Sequence, residues 1–117
     1  MGQRVCSVEE LPPGGVRVVP IGRYGVGVFN VNGEYHALSN HCPHRGAPLC
    51  VGAVEGTVSA GAEPYSMRWE RDGEMLRCPW HGWEFDIASG QALAQPHIRA
   101  KTWKVSIVDG YVVVEGS

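Results

Sequence analysis

The sequence predicts an all-β domain with antiparallel strands, of sandwich or barrel type. Three observations point there. Runs rich in valine and aromatics are short and interrupted by glycine. Two Asx-Gly pairs stand between such runs. Sixteen glycines and eight prolines in 117 residues leave little room for a long helix.

Along the chain, "SVEELPP" at 7–13 suits no more than one short helical turn. "GVRVVPI" at 15–21 and "GVGVFNVNGEYHAL" at 25–38 read as strands. Asn32-Gly33 divides the second run into a hairpin, because a type I′ turn needs positive φ at both central residues. "GAVEGTVSAGAEP" at 52–64 reads as a surface loop. A hairpin is expected about Asp72-Gly73, joining "SMRWE" to "EMLR". At the end, "WKVSIV" and "YVVVE" flank Asp109-Gly110 as a closing hairpin, with Trp103, Val105 and Ile107 alternating as in a half-buried strand.

The length suits a single domain over 1–117. Ten Lys+Arg against twelve Asp+Glu give a net charge of −2, so there is no electrostatic case for nucleic acid or an anionic membrane. No apolar run approaches about 18 residues and no charged-then-hydrophobic leader follows Met1, so a soluble, cytoplasmic protein is expected. In that compartment Cys6, Cys42, Cys50 and Cys78 favour ligand or thiol roles over disulfides.

Two stretches carry the chemistry: "NHCPHRGAPL" at 40–49 and "CPWHGWEFD" at 78–86. Each supplies one cysteine and one histidine, Cys42 with His44 and Cys78 with His81. Proline follows each cysteine and glycine follows each histidine closely, as Pro43, Pro79, Gly46 and Gly82. Thiolate and neutral imidazole suit zinc, copper or iron–sulfur. A structural zinc knuckle usually pairs cysteine with cysteine and histidine with histidine. The crossed pairing here is better explained by a binuclear [2Fe-2S] object with two cysteines on one iron and two histidines on the other.

On "CPHRG" and "CPWHGWEFDIASGQ" the chain resembles the Rieske iron–sulfur family, over roughly residues 16–116. The resemblance implies a Rieske-type antiparallel sandwich or barrel with a small cluster-binding subdomain, built on loops at about 40–50 and 76–90. Cys42 and Cys78 would ligate the inner iron, His44 and His81 the outer. Pro96, in "AQPH", stands where the family has a third, proline-containing loop. The 33 residues between His44 and Cys78 are roughly twice the usual gap in small ferredoxin members, an extension at about 53–75. Respiratory members carry a disulfide across the cluster, and at the matching places this chain has Ala47 and Trp80. Where they place a serine and a tyrosine whose hydroxyls bond the cluster, this chain has Trp83 and Phe85. Fewer donors to the sulfurs lower the potential, so a midpoint of about −150 mV is expected.

The chain is therefore expected to carry electrons and not to act on a substrate. A two-histidine, one-carboxylate iron site would have to use His36, His41 and His97, which stand in three separate places. Gly25-x-Gly27 is an incomplete nucleotide fingerprint. The resemblance implies a ferredoxin passing electrons from a flavin-dependent reductase to a terminal oxygenase. The alternative is a permanent small subunit, similar to that of assimilatory nitrite reductase, with a redox sensor as a more distant third. Arg45 suits either steering of an acidic partner or a loop contact. Trp80 and Trp83 suit shielding of the centre, while Arg99, Lys101 and Lys104 read as a solvated strand edge. Cys6 and Cys50 read as ordinary thiols.

Overall fold

The computed structural model describes residues 2–43, 48–60, 67–79 and 83–115, by backbone alone at 51, 53, 55–60 and 67–72. Its strands are β1 (Gly2–Ser7), β2 (Val16–Val19), β3 (Val26–Val31), β4 (Glu34–Ser39) and β5 (Ala53–Ala60). They continue as β6 (Met67–Arg77), β7 (Glu84–Asp86), β8 (Thr102–Trp103), β9 (Val105–Val108) and β10 (Tyr111–Glu115). All pairings are antiparallel, in three sheets ordered β1-β10-β9, β2-β3-β4-β8 and β5-β6-β7. The all-β antiparallel class expected from the sequence is the one found. Among the described residues no helix is long and apolar enough to cross a membrane.

The middle sheet has two buried faces, and the alternation along β3 and β4 shows why. Val26 and Val28 of β3, with Ala37 of β4, point into one core shared with Cys6, Leu11, Val112 and Val114. Phe29 and Leu38 point the other way, into a second core with Leu49, Leu76, Phe85 and Ile87. A strand covered on both faces reads as a near-continuous apolar run, which "VGVFNV" is apart from Asn30. Full burial of side chains such as Phe29 and Leu38 stabilises by about 1.5–3 kcal/mol each, which decides the register of this sheet. The buried amide of Asn30 is satisfied: Nδ2 donates to the Leu11 carbonyl and Oδ1 accepts the Gly33 N–H, each at 2.8 Å.

Two of the three expected Asx-Gly turns form. Asn32 and Gly33 have φ of 52° and 95°, and Asp109 and Gly110 have 51° and 80°. The short helical element in "SVEELPP" is a 3-10 turn at Val8–Glu10, where the Glu10 carboxylate accepts from both the N–H and the hydroxyl of Ser7. Those two donors hold the Glu10 carboxyl below its usual range.

Three expectations fail, each for a local reason. The supposed loop at 52–64 contains β5, which pairs with β6 on both sides of an irregularity between Glu55 and Thr57. Asp72-Gly73 is not a hairpin tip but lies inside β6. There Arg71 to Glu74 face the single residue Gly56, and Gly73 takes the positive φ such a bulge requires. "WKVSIV" is two strands: Trp103 pairs with Ala37 in the middle sheet, whereas Val105 pairs with Val114 in the first. The chain changes sheet at Lys104, although Trp103 and Val105 still pack on one core, and Ile107, farther along the edge strand β9, is 48% exposed. β1, which carries few strand-forming residues, is held by pairing with β10 rather than by its own propensity.

Gly27 lies on the side of β3 that meets Cys50, and a Cβ built there would sit 2.5 Å from both the Cβ and the Sγ of that cysteine. Gly27→Ala is expected to lower stability by about 1–3 kcal/mol through overpacking. Urea denaturation should show this as a lower midpoint with an unchanged slope.

Candidate metal centre

The first loop leaves β4 at Ser39 and returns at a 3-10 turn, Leu49–Val51. Asn40 fixes both its ends. Its side-chain Oδ1 accepts the Cys50 N–H at 2.7 Å, and its own N–H donates to the Gly25 carbonyl at 2.9 Å. Ser39 N–H donates in turn to the Lys101 carbonyl. Cys42, within this clasp, has 0% of its surface exposed, while the adjoining Pro43 is exposed.

The second loop leaves β6 at Arg77 and is closed by the Cys78 N–H donating to the Trp83 carbonyl at 2.7 Å. Cys78 is 1% exposed. It joins Cys42 in the core that also holds Leu49, Phe85 and Ile87. Trp83 packs against the same core with its ring 6.5 Å from that of Phe85. The third segment folds back through antiparallel bridges Phe85–Ala92 and Gln91–Arg99. Its turn is tied by the Gln91 side-chain amide donating to the Pro96 carbonyl at 2.9 Å. Pro96 itself is exposed.

Of the four candidate ligands, Cys42 and Cys78 come from loops 36 positions apart and meet in one core. His44 and His81 lie outside the described residues, as do Arg45, Ala47 and Trp80. Among the described residues no group of three or more metal-binding side chains gathers. All four cysteines are buried and none is in a disulfide. The donor chemistry fits an iron–sulfur group. An uncompensated thiolate in apolar surroundings is costly, and a metal cation supplies the compensation.

The other histidines are placed elsewhere. The ring of His41 stacks on Tyr24 with centroids 4.0 Å apart, and His36 Nε2 sits 3.6 Å from a Glu34 carboxylate oxygen. His97 is exposed in the third turn. The residue that sequence reasoning missed is Asn40. The available signal was an asparagine at a strand end opening a ligand-bearing loop, a position where its side chain takes orphan backbone N–H groups.

Comparison with known proteins places the chain in a family. Residues 2–105 match the family model of the Rieske [2Fe-2S] domain, and the chain belongs to that family. It is 31% identical over 111 residues to the ferredoxin subunit of a 3-phenylpropionate/cinnamic acid dioxygenase from Photorhabdus laumondii, covering 94% of this chain and 90% of that one. It is 41% identical over 86 residues to apoptosis-inducing factor 3 of Mus musculus and Homo sapiens, which covers 74% of this chain. The match spans only 11% of the length of those two proteins. Among solved structures, the ferredoxin of Sphingomonas yanoikuyae B1 superposes over the full length of both chains with a TM-score of 0.71 at 30% identity.

Cys50, expected as an ordinary thiol, has a distinct environment. Its Sγ lies 3.5 Å from the Leu38 carbonyl, and burial pushes the thiol up to about 12. Burial also raises the Cys6 thiol. Between pH 9 and 12 the folded chain keeps the Cys50 proton while the unfolded chain releases it, so stability falls as pH rises. The expected slope is about 1.4 kcal/mol per pH unit for this one group. Urea midpoints measured at rising alkaline pH should fall less steeply in Cys50→Ala than in the parent.

Proposed function

We propose that this chain is a single-electron carrier, a Rieske-type ferredoxin that takes electrons from a flavin-dependent reductase and passes them to a terminal oxygenase. Cys42 and Cys78 would hold one iron of a [2Fe-2S] cluster, and His44 and His81 the other. The observation that most supports this reading is the meeting of two cysteines from separate, hydrogen-bonded loops in one apolar core, in a chain that nearly fills the length of a dioxygenase ferredoxin subunit. One solved structure of this fold is a complex of oxygenase and ferredoxin in carbazole 1,9a-dioxygenase, matched with a TM-score of 0.75 at 24% identity.

When bound, such a cluster supplies reversible one-electron chemistry at a potential raised by its two neutral imidazoles. The chain's own residues provide the mounting. Asn40 and the Cys78–Trp83 hydrogen bond hold the two loops to the strands behind them. Leu49, Phe85 and Ile87, all fully buried, keep water from the cysteine side. Neither Trp83 nor Phe85 offers a hydroxyl there, which favours a low potential.

The second reading is a permanently attached electron-transfer module, favoured by the 41% identity to a segment of the much longer apoptosis-inducing factor 3. Anaerobic purification followed by a redox titration monitored by electron paramagnetic resonance tests both. A free monomer with a Rieske-type signal and a midpoint of about −150 mV is expected. Cys42→Ser and Cys78→Ser should each abolish the signal. A stoichiometric complex selects the attached module, a clearly positive midpoint contradicts the role given to Trp83 and Phe85, and zinc or no metal overturns the carrier.

A further inference from the structure

Beside the first loop lies a groove of about 360 Å³. One wall is Pro43, the residue after Cys42. Aromatic rings form much of the lining: Tyr24 stacked on His41, and Trp103, whose indole N–H donates to the Ser39 hydroxyl at 2.9 Å. Among the described residues its charged ones are Arg23, Arg99 and Lys101. The rings position two of these cations, with Arg23 centred 5.4 Å from the Tyr24 ring and Lys101 Nζ 4.2 Å from that of Trp103. Among the described residues no carboxylate lines the groove. A local excess of this sign, on a chain of net charge −2, is a property of the place and not of the composition.

We propose that this groove is the docking site for an acidic segment of the protein that exchanges electrons with this chain. The proposal rests on the electron-carrier reading and adds to it the charge of the partner and where it sits. Carboxylates entering the groove meet three cations beside low-dielectric aromatic walls, where charge-assisted hydrogen bonds are stronger than on open surface. The same cations steer an acidic partner during encounter, and Pro43 makes the docked segment adjacent to the loop bearing Cys42. The basic stretch that reads as a solvated strand edge in the sequence is thereby divided. Arg99 and Lys101 line the groove, Lys101 against the Trp103 ring, and Lys104 lies outside it, 3.6 Å from the Glu115 carboxylate.

The test uses two probe proteins of opposite charge, the acidic cytochrome b5 and the basic cytochrome c, each mixed anaerobically with the reduced chain in a stopped-flow instrument. The Arg23→Glu/Lys101→Glu variant should reduce cytochrome b5 about tenfold more slowly than the parent at low salt, and the difference should shrink at high salt. Arg4→Glu/Arg17→Glu, with the same change in net charge but outside the groove, should slow it by less than about twofold. Cytochrome c reduction should not slow in either variant. Hexaglutamate should bind the parent in calorimetry and not the groove variant.

Equal slowing by the two variants, or equal slowing of both probes, overturns the proposal. So does calorimetric binding of benzoate without hexaglutamate, which would make the groove a small-molecule site. The visible absorption of the cluster is recorded on each protein first. A parent lacking it fails the carrier reading, and hexaglutamate binding then still decides the groove by itself.

Discussion

The β2-β3-β4-β8 sheet has apolar demands on both of its faces, and the rest of the structure is arranged to meet them. One face of β3 and β4 is covered by the β1-β10-β9 sheet. The other is covered by the segment carrying the cysteine loops, with Leu49, Leu76, Phe85 and Ile87 seated on Phe29 and Leu38. The candidate metal centre is thus placed by the same packing that makes the fold stable. Of the two cores among the described residues, the one holding Leu49, Phe85 and Ile87 lies at the candidate metal centre.

Four cysteines show how environment, and not residue type, assigns a role. Cys6 belongs to the core away from the centre and Cys50 packs against Gly27, each acting as a small apolar side chain with a raised thiol pKa. Cys42 and Cys78 are equally buried, yet each sits in a loop opened by proline and anchored at its base by a hydrogen bond. Cys50 also takes part in that anchoring through its backbone, since its N–H is the one held by Asn40. Packing and presentation meet in that one residue.

Much of this was legible in the sequence where the cause is local. The Asn32-Gly33 and Asp109-Gly110 turns follow from backbone sterics that only a few residue pairs satisfy. The two Cys-Pro loops announce themselves by spacing and ligand chemistry. What the sequence hid depends on partners distant along the chain. β5 looks like a loop because Gly56 and the small residues Ala53, Ser59 and Ala60 dilute its few strand formers, and its strand form is completed by pairing with β6. Asp72-Gly73 has turn chemistry but was used for a bulge, since the positive φ of Gly73 serves either purpose. The passage of "WKVSIV" between two sheets leaves no mark in a pattern of period two. Asn40 was visible as a residue, but its acceptor role needed Cys50 to be brought ten positions back to it.

The irregularity in the β5–β6 hairpin separates the arm into two independent ladders. Ala53 to Glu55 pair with Met75 to Arg77 next to Cys78, and Thr57 to Ala60 pair with Met67 to Glu70 beyond the bulge. The surplus at Arg71 to Glu74 lies between them, tied at its inner end by the Ile87 N–H donating to the Glu74 carbonyl at 3.1 Å. The inner ladder and this bond set the register at Arg77. A lineage of such chains is free to vary the outer half of the arm in length and composition while Cys78 stays where the core needs it.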